Sequence, residues 1–112
     1  MKYEKNLISG STSMLLLALL NDRDMYGYEM VEELARRSDD TFRLKEGTLY
    51  PLLHTLEKER CVESYTSQTP AGRERKYYRL TDFGRAQLEL KTKEWKTFSE
   101  KVSAVIGCTA PV

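Results

Sequence analysis

Apolar and polar positions along this chain fall into helical spacing in four stretches and into strand-like alternation in two. Met14-Leu-Leu-Leu-Ala-Leu-Leu20 is apolar on every side, with Ser9, Ser11, Thr12 and Ser13 ahead of it as candidate caps. That pattern predicts a buried central helix over Ser9 to Asn21. From Met25 to Arg37, Tyr26, Met30 and Leu34 recur every four residues among Glu29, Glu32, Glu33, Arg36 and Arg37, the spacing of an amphipathic second helix. Ser38 to Thr41 breaks it. A third helix is predicted from about Glu46 to Arg60, where Leu49, Leu52, Leu53 and Leu56 occupy positions i, i+3, i+4 and i+7. Pro51 is tolerated there if the helix starts near Gly47, because its missing N–H then falls among or beside first-turn donors that lack a helical partner.

From Val62 the period shortens to two. Val62, Ser64 and Thr66 alternate with Glu63 and Tyr65, and Lys76-Tyr-Tyr-Arg-Leu80 is a second short, aromatic-rich run, which together predict a hairpin. Ser67 to Gly72, with Pro70 and Gly72, reads as its loop. Thr81-Asp82 then caps a last helix to about Ile106, about 25 residues or ~37 Å at 1.5 Å per residue. Along it Leu88, Trp95, Phe98, Val102 and Val105 fall on a heptad a/d seam interrupted by Lys91. A seam that narrow on the longest helix predicts a partner helix, and so a homodimer. Gly107 ends the helix, and 108–112 reads as a flexible tail. The class is mainly α with a small β-hairpin (α+β). Its order is that of a winged helix-turn-helix DNA-binding domain over 1–80, followed by a dimerisation helix over 81–107.

Composition narrows the function classes. At 112 residues, 40% hydrophobic and 31% charged, the chain is one ordinary globular domain. Its longest apolar run, Met14 to Leu20, is far short of the ~20 residues that cross a membrane. Lys2 and Lys5 are not followed by an apolar stretch with a small-residue cleavage site, so the expected location is cytoplasmic. Cys61 and Cys108 lie too far apart in the sequence to suggest a disulfide scaffold and read as free thiols. With His54 the sole histidine, a zinc site would need carboxylate ligands at spacings the sequence does not offer, and a Cys/His nucleophile pair would need an orienting partner. No cofactor and no enzymatic activity are expected.

Net charge is only +1, so any basic surface is local. Between Arg73 and Arg79, Arg73, Arg75, Lys76 and Arg79 stand against Glu74, a net of +3; between Asp22 and Asp40, three cations meet seven carboxylates, a net of −4. Phosphate affinity comes from cations, which assigns DNA backbone contact to the hairpin, the wing, and not to the second helix. On the third helix Gly47, Pro51, His54 and Lys58 lie opposite the leucines, flanked by Thr48, Tyr50 and Thr55, with Lys45 just ahead. Such a face also belongs to any solvated amphipathic helix. Joined to the wing in this order it reads as a groove-reading helix on double-stranded DNA. The alternative is a winged-helix module that binds protein through the same surface.

Gly47-Thr-Leu-Tyr-Pro-Leu-Leu-His-Thr-Leu-Glu57, followed by Gly72-Arg-Glu-Arg-Lys-Tyr-Tyr-Arg-Leu-Thr-Asp-Phe-Gly84, resembles the signature of the PadR family of bacterial transcription regulators, as does Tyr26-Gly-Tyr-Glu-Met30. The resemblance covers residues 9 to 106 and is to the short subfamily with a single C-terminal helix. It implies a dimeric repressor released by a small-molecule effector, with Tyr50 and Pro51 facing the groove and Gly72, Arg73 and Lys76 in the wing. It also implies that Trp95, eleven residues after Gly84, lines the space between subunits, where it is dimer core or a stacking surface for a planar effector. Two positions depart from the pattern: Arg60 stands where the family usually has Gly, and Glu74 replaces a common Pro.

Overall fold

The computed structural model describes the backbone from Lys5 to Gly107 and side chains from Ser11 onward. The tail at 108–112, with Cys108, lies outside the described residues. Helix α1 (Lys5–Asp22) leads through strand β1 (Met25–Tyr26) into α2 (Gly27–Arg37), and α3 (Glu46–Lys58) into the hairpin β2 (Val62–Gln68) and β3 (Glu74–Leu80). Helix α4 (Asp82–Ile106) completes the fold.

Leu16, Leu17, Leu19 and Leu20 of α1 are all buried, so this helix is the centre of the core. Around it pack Met30 and Leu34 of α2, Leu49, Leu53 and Leu56 of α3, and Val62, Tyr78 and Leu80 of the sheet. Each of these side chains stabilises the fold by about 1.5–3 kcal/mol if fully removed from water. The helix begins earlier than expected: Ser9, Ser11, Thr12 and Ser13 lie within α1 and do not cap it.

The expected hairpin is part of a three-stranded antiparallel sheet in the order β1-β3-β2. Met25 pairs with Tyr78 and Tyr26 with Tyr77, so the second helix starts at Gly27 and not at Met25. The physical reason is that two apolar residues fit either period, and pairing with an available strand edge decides between them. Glu29 then accepts the Tyr26 backbone N–H at 3.2 Å, and this carboxylate helps fix the start of α2.

Helix α3 starts at Glu46 with Lys45 as its cap, and Pro51 consequently sits inside the helix, in its second turn. The donor it lacks is the one Gly47's carbonyl would have taken. Gly47 is exposed, so the carbonyl that loses its helical donor lies at the surface and not in the core. At its other end α3 closes in a Schellman motif: Cys61 N–H donates to Leu56 O (2.9 Å), Arg60 N–H to Glu57 O (3.0 Å), and Arg60 is left-handed at φ 62°. The turn that glycine would adopt freely is therefore kept here with an arginine in it.

Thr81 joins this turn to α4. Its hydroxyl donates to the Arg60 carbonyl (2.6 Å) and accepts the Gly84 N–H (2.9 Å), while its own N–H donates to Cys61 O (3.0 Å). Gly84 lies so close to that turn that a Cβ there would fall 2.0 Å from the Cys61 carbonyl oxygen. Helix α4 packs against α1 near this end and then extends the molecule to 52 × 31 × 22 Å.

Candidate nucleic-acid interface

The third helix divides cleanly. Leu49, Leu53 and Leu56 are buried, while Gly47, Thr48, Pro51, His54, Thr55 and Lys58 are exposed, with Lys45 exposed at the cap. A Cβ at Gly47 would meet nothing within 4 Å. Neither packing nor a positive φ within the chain calls for glycine there, although glycine in a helix costs about 0.5–1 kcal/mol relative to alanine. Thr55 donates its hydroxyl to Pro51 O at 3.1 Å and so is partly committed to its own helix.

Tyr50 has two neighbourhoods. Its side is 45% exposed, and its ring lies over Gly27 at the start of α2, where an added Cβ would come within 2.5 Å of the hydroxyl oxygen. The Tyr26-Gly-Tyr28 motif therefore leaves room for Tyr50 between the two helices. Sequence patterning did not pair these residues; a small residue flanked by two tyrosines was the available signal.

The wing turns through Thr69 to Arg73. Gly72 N–H donates to Thr69 O (2.8 Å), Thr69 N–H to Arg73 O (2.7 Å), and Gly72 adopts φ 87°, a type I turn closed by a left-handed glycine. Pro70 presets the first turn position. The loop is shorter than expected because the strands run on to Gln68 and Glu74.

The strand period separates the wing cations. Lys76 shares its side of β3 with buried Tyr78 and Leu80, facing α3, and its ammonium lies 4.0 Å from Glu57 of that helix. Arg75 points to the opposite side, 5.9 Å from the Tyr26 ring centroid, and Arg79 on that side pairs with Glu63 at 2.8 Å and lies over Tyr65. Lys76 is thus brought beside α3 at Glu57, on the flank between its leucine and polar faces, Arg73 and Gly72 stand exposed at the tip, and Arg75 points to the far side of the sheet.

The outer side of the sheet carries a row of rings. Tyr77 meets Tyr26 edge-on at 5.4 Å and stacks on Tyr65 at 5.7 Å. The Tyr65 hydroxyl donates to Asp24 Oδ2 at 2.5 Å, and this bond raises the tyrosine's pKa because it favours the protonated phenol. The row ties the wing to β1.

On α2, Glu33 accepts from both Arg36 and Arg37, and these guanidinium groups hold its carboxyl at about 2. Arg37 also reaches Asp22 at 2.6 Å. Cys61 is buried, and burial pushes its thiol up, away from the thiolate that oxidants attack. Among the described residues, no group of three or more His, Cys, Asp and Glu is placed to hold a metal ion, and no helix is long and apolar enough to cross a membrane.

Along α4 the expected seam lies largely open. Leu88 is half-buried against the core, but Trp95 is 49%, Phe98 63% and Val105 87% exposed, with Val102 and Ile106 exposed beside them.

These features coincide with a known group of proteins. The profile of the Transcriptional regulator PadR-like family matches residues 16–90, from the core helix through the wing into α4. The transcriptional regulator Rv3488 of Mycobacterium tuberculosis is 35% identical over 86 residues, covering 77% of this chain and 74% of that protein. Among solved structures, a PadR family transcription regulator from Clostridium difficile is similar at TM-score 0.71 and 38% identity, over 86% of this chain and 97% of that one. A PadR-like transcriptional regulator from Bacillus cereus superposes at TM-score 0.82 with 31% identity, over 91% and 97% of the two chains. The chain belongs to the PadR-like family of transcriptional regulators.

Proposed function

We propose that this regulator is a cytoplasmic, non-enzymatic homodimeric repressor that binds an operator in double-stranded DNA and is relieved by a small-molecule effector. In this reading residues 1–80 form the DNA-binding unit and 81–107 the dimerisation helix. The polar face of α3 enters the major groove, with Gly47 allowing close backbone approach, Thr48, Tyr50, Pro51 and His54 near base edges, and Lys45 and Lys58 toward phosphate. Gly72, Arg73 and Lys76 grip the flanking backbone. Arg75 adds positive field from the far side of the wing.

One observation carries this reading: the wing lies against α3, with the Lys76 ammonium 4.0 Å from Glu57 on the flank of the helix, which supports helix and cation meeting one duplex together. The apolar stripe of α4 supports the dimer. Trp95 belongs first to that interface, and two such rings across a two-fold axis would also stack on a planar ligand.

A mobility-shift titration on the DNA upstream of the protein's own gene, repeated at several salt concentrations, tests the proposal. Each phosphate contact contributes a slope of about −0.9 in log K against log salt. Arg73→Ala and Lys76→Ala should weaken binding to all sequences alike. Thr48→Ala and His54→Ala should change preference at one base position by about 1–3 kcal/mol if the contact is direct. Salt-independent binding, or wing variants that bind as wild type does, would favour a protein-binding module. Loss of Trp95 fluorescence on adding a flat cationic dye, with weaker operator binding, would identify the effector class; Trp95→Ala should then lose the dye while keeping DNA. No change with any dye removes the effector from the account.

A further inference from the structure

Glu57 is the point where α3 touches the wing through charge. The carboxylate is half-buried and accepts the Ser64 hydroxyl of β2 at 2.7 Å through Oε2. Its other oxygen, Oε1, lies 4.0 Å from the Lys76 ammonium of β3. Lys76 sits opposite Thr66, two positions along from the Ser64–Tyr78 pair, so all these residues occupy the side of the sheet that faces α3. The ammonium also lies 5.5 Å from the Tyr78 ring centroid.

This ion pair is loose, and both its members are solvent-accessible. Such pairs stabilise a fold by about 0–1 kcal/mol. A neutral amide at position 57 would still accept the Ser64 hydroxyl, though more weakly than the carboxylate does, so the contact between helix and wing does not depend on the negative charge alone. That charge matters more for an incoming anion. A phosphate approaching Lys76 meets a cation already partly neutralised, and a fixed carboxylate a few ångströms behind it.

We infer that Glu57 is a built-in competitor for the DNA phosphate at Lys76, holding down the affinity of the α3–wing surface for DNA of every sequence. The inference rests on the DNA-binding reading above. Ser64 keeps the carboxylate in place when a phosphate arrives, so the competition persists in the complex. Such a brake is a repulsive element set against indiscriminate backbone binding, leaving base contacts to supply the rest of the affinity.

The test compares wild type, Glu57→Gln, Lys76→Ala and the double variant by fluorescence anisotropy. Two duplexes of equal length are used, the upstream fragment and a scrambled version, across a series of salt concentrations. Glutamine keeps an acceptor for Ser64, and an unchanged melting midpoint would verify that the joint survives. Glu57→Gln should bind both duplexes about two- to fivefold more tightly. Its salt slope should steepen by up to about one unit, and the gain should vanish when Lys76 is alanine. Weaker binding by Glu57→Gln would overturn the inference by making Glu57 a support for Lys76. Unchanged affinity and slope, or a gain that survives in the Lys76→Ala background, would overturn it too. Failure of wild type to bind either duplex at low salt is a different result: it removes the DNA-binding reading itself, and this inference with it.

Discussion

Helices α3 and α4 carry apolar stripes of similar periodicity with opposite fates. Leu49, Leu53 and Leu56 of α3 are buried among α1, α2 and the sheet, with Leu52 partly so, whereas the α4 stripe beyond Leu88 is open to solvent. Periodicity states which face of a helix wants cover; it does not state whether the cover comes from the same chain. The difference lies in chain geometry. Helix α3 is bracketed by short connections that fold neighbours back onto it, whereas α4 is held at its start by Thr81 and Gly84 and then runs on with its stripe exposed among the described residues.

The sharpest way to test the contrast is to damage each stripe. Leu53→Ala removes a buried side chain and should cost about 2–5 kcal/mol, lowering the melting midpoint at every protein concentration. Phe98→Glu should leave the helical content by circular dichroism intact but abolish the proposed dimer, and with it any rise of midpoint with concentration. A Phe98→Glu chain that remains dimeric would break the comparison.

The joint between the two helices comes next. Gly84→Ala would press a methyl group into the Cys61 backbone and should destabilise by about 1–3 kcal/mol, since backbone on both sides must shift. Arg60→Gly should act in the other direction. An L-residue in the left-handed region costs about 1–2 kcal/mol, part of which glycine returns as added unfolded-chain entropy, so a gain of about 1 kcal/mol in urea denaturation is expected. A loss on that substitution would mean that the Arg60 side chain stabilises the joint.

The smallest effect concerns acid. Glu33 is held at about 2 in the folded chain, below its ordinary 4.5, by hydrogen bonds from Arg36 and then Arg37. A depressed carboxyl contributes stability that is present above the unfolded value and is lost as pH falls from there through about 2. Glu33→Gln should therefore flatten the acid limb of the stability curve over that window, slightly, because the group is at the surface and screened. An unchanged acid limb would discount the α2 ion pairs.

Much of this was legible in the residues. Thr81 and Gly107 marked the ends of α4, and the leucine spacing of α3 identified its buried side. Period two alone would have separated Arg75 from Lys76 across the strand. Other features were out of reach because they depend on residues distant in the sequence coming together. Strand β1 is two residues long and exists only because β3 offers an edge. Gly27 is explained by Tyr50, and Glu57 by Ser64 and Lys76, pairings that no local pattern contains. Arg60 was identified as a departure, and the left-handed turn it retains shows that the Schellman geometry tolerates a side chain there.

The proposed dimer requires that a second copy of the same chain cover the open stripe of α4. Sedimentation equilibrium of the wild-type protein over a micromolar concentration series tests it most directly, with Phe98→Glu alongside. Two 13.0 kDa chains per particle are expected for wild type and one for the variant. A wild-type particle that stays a single chain across the series would contradict it.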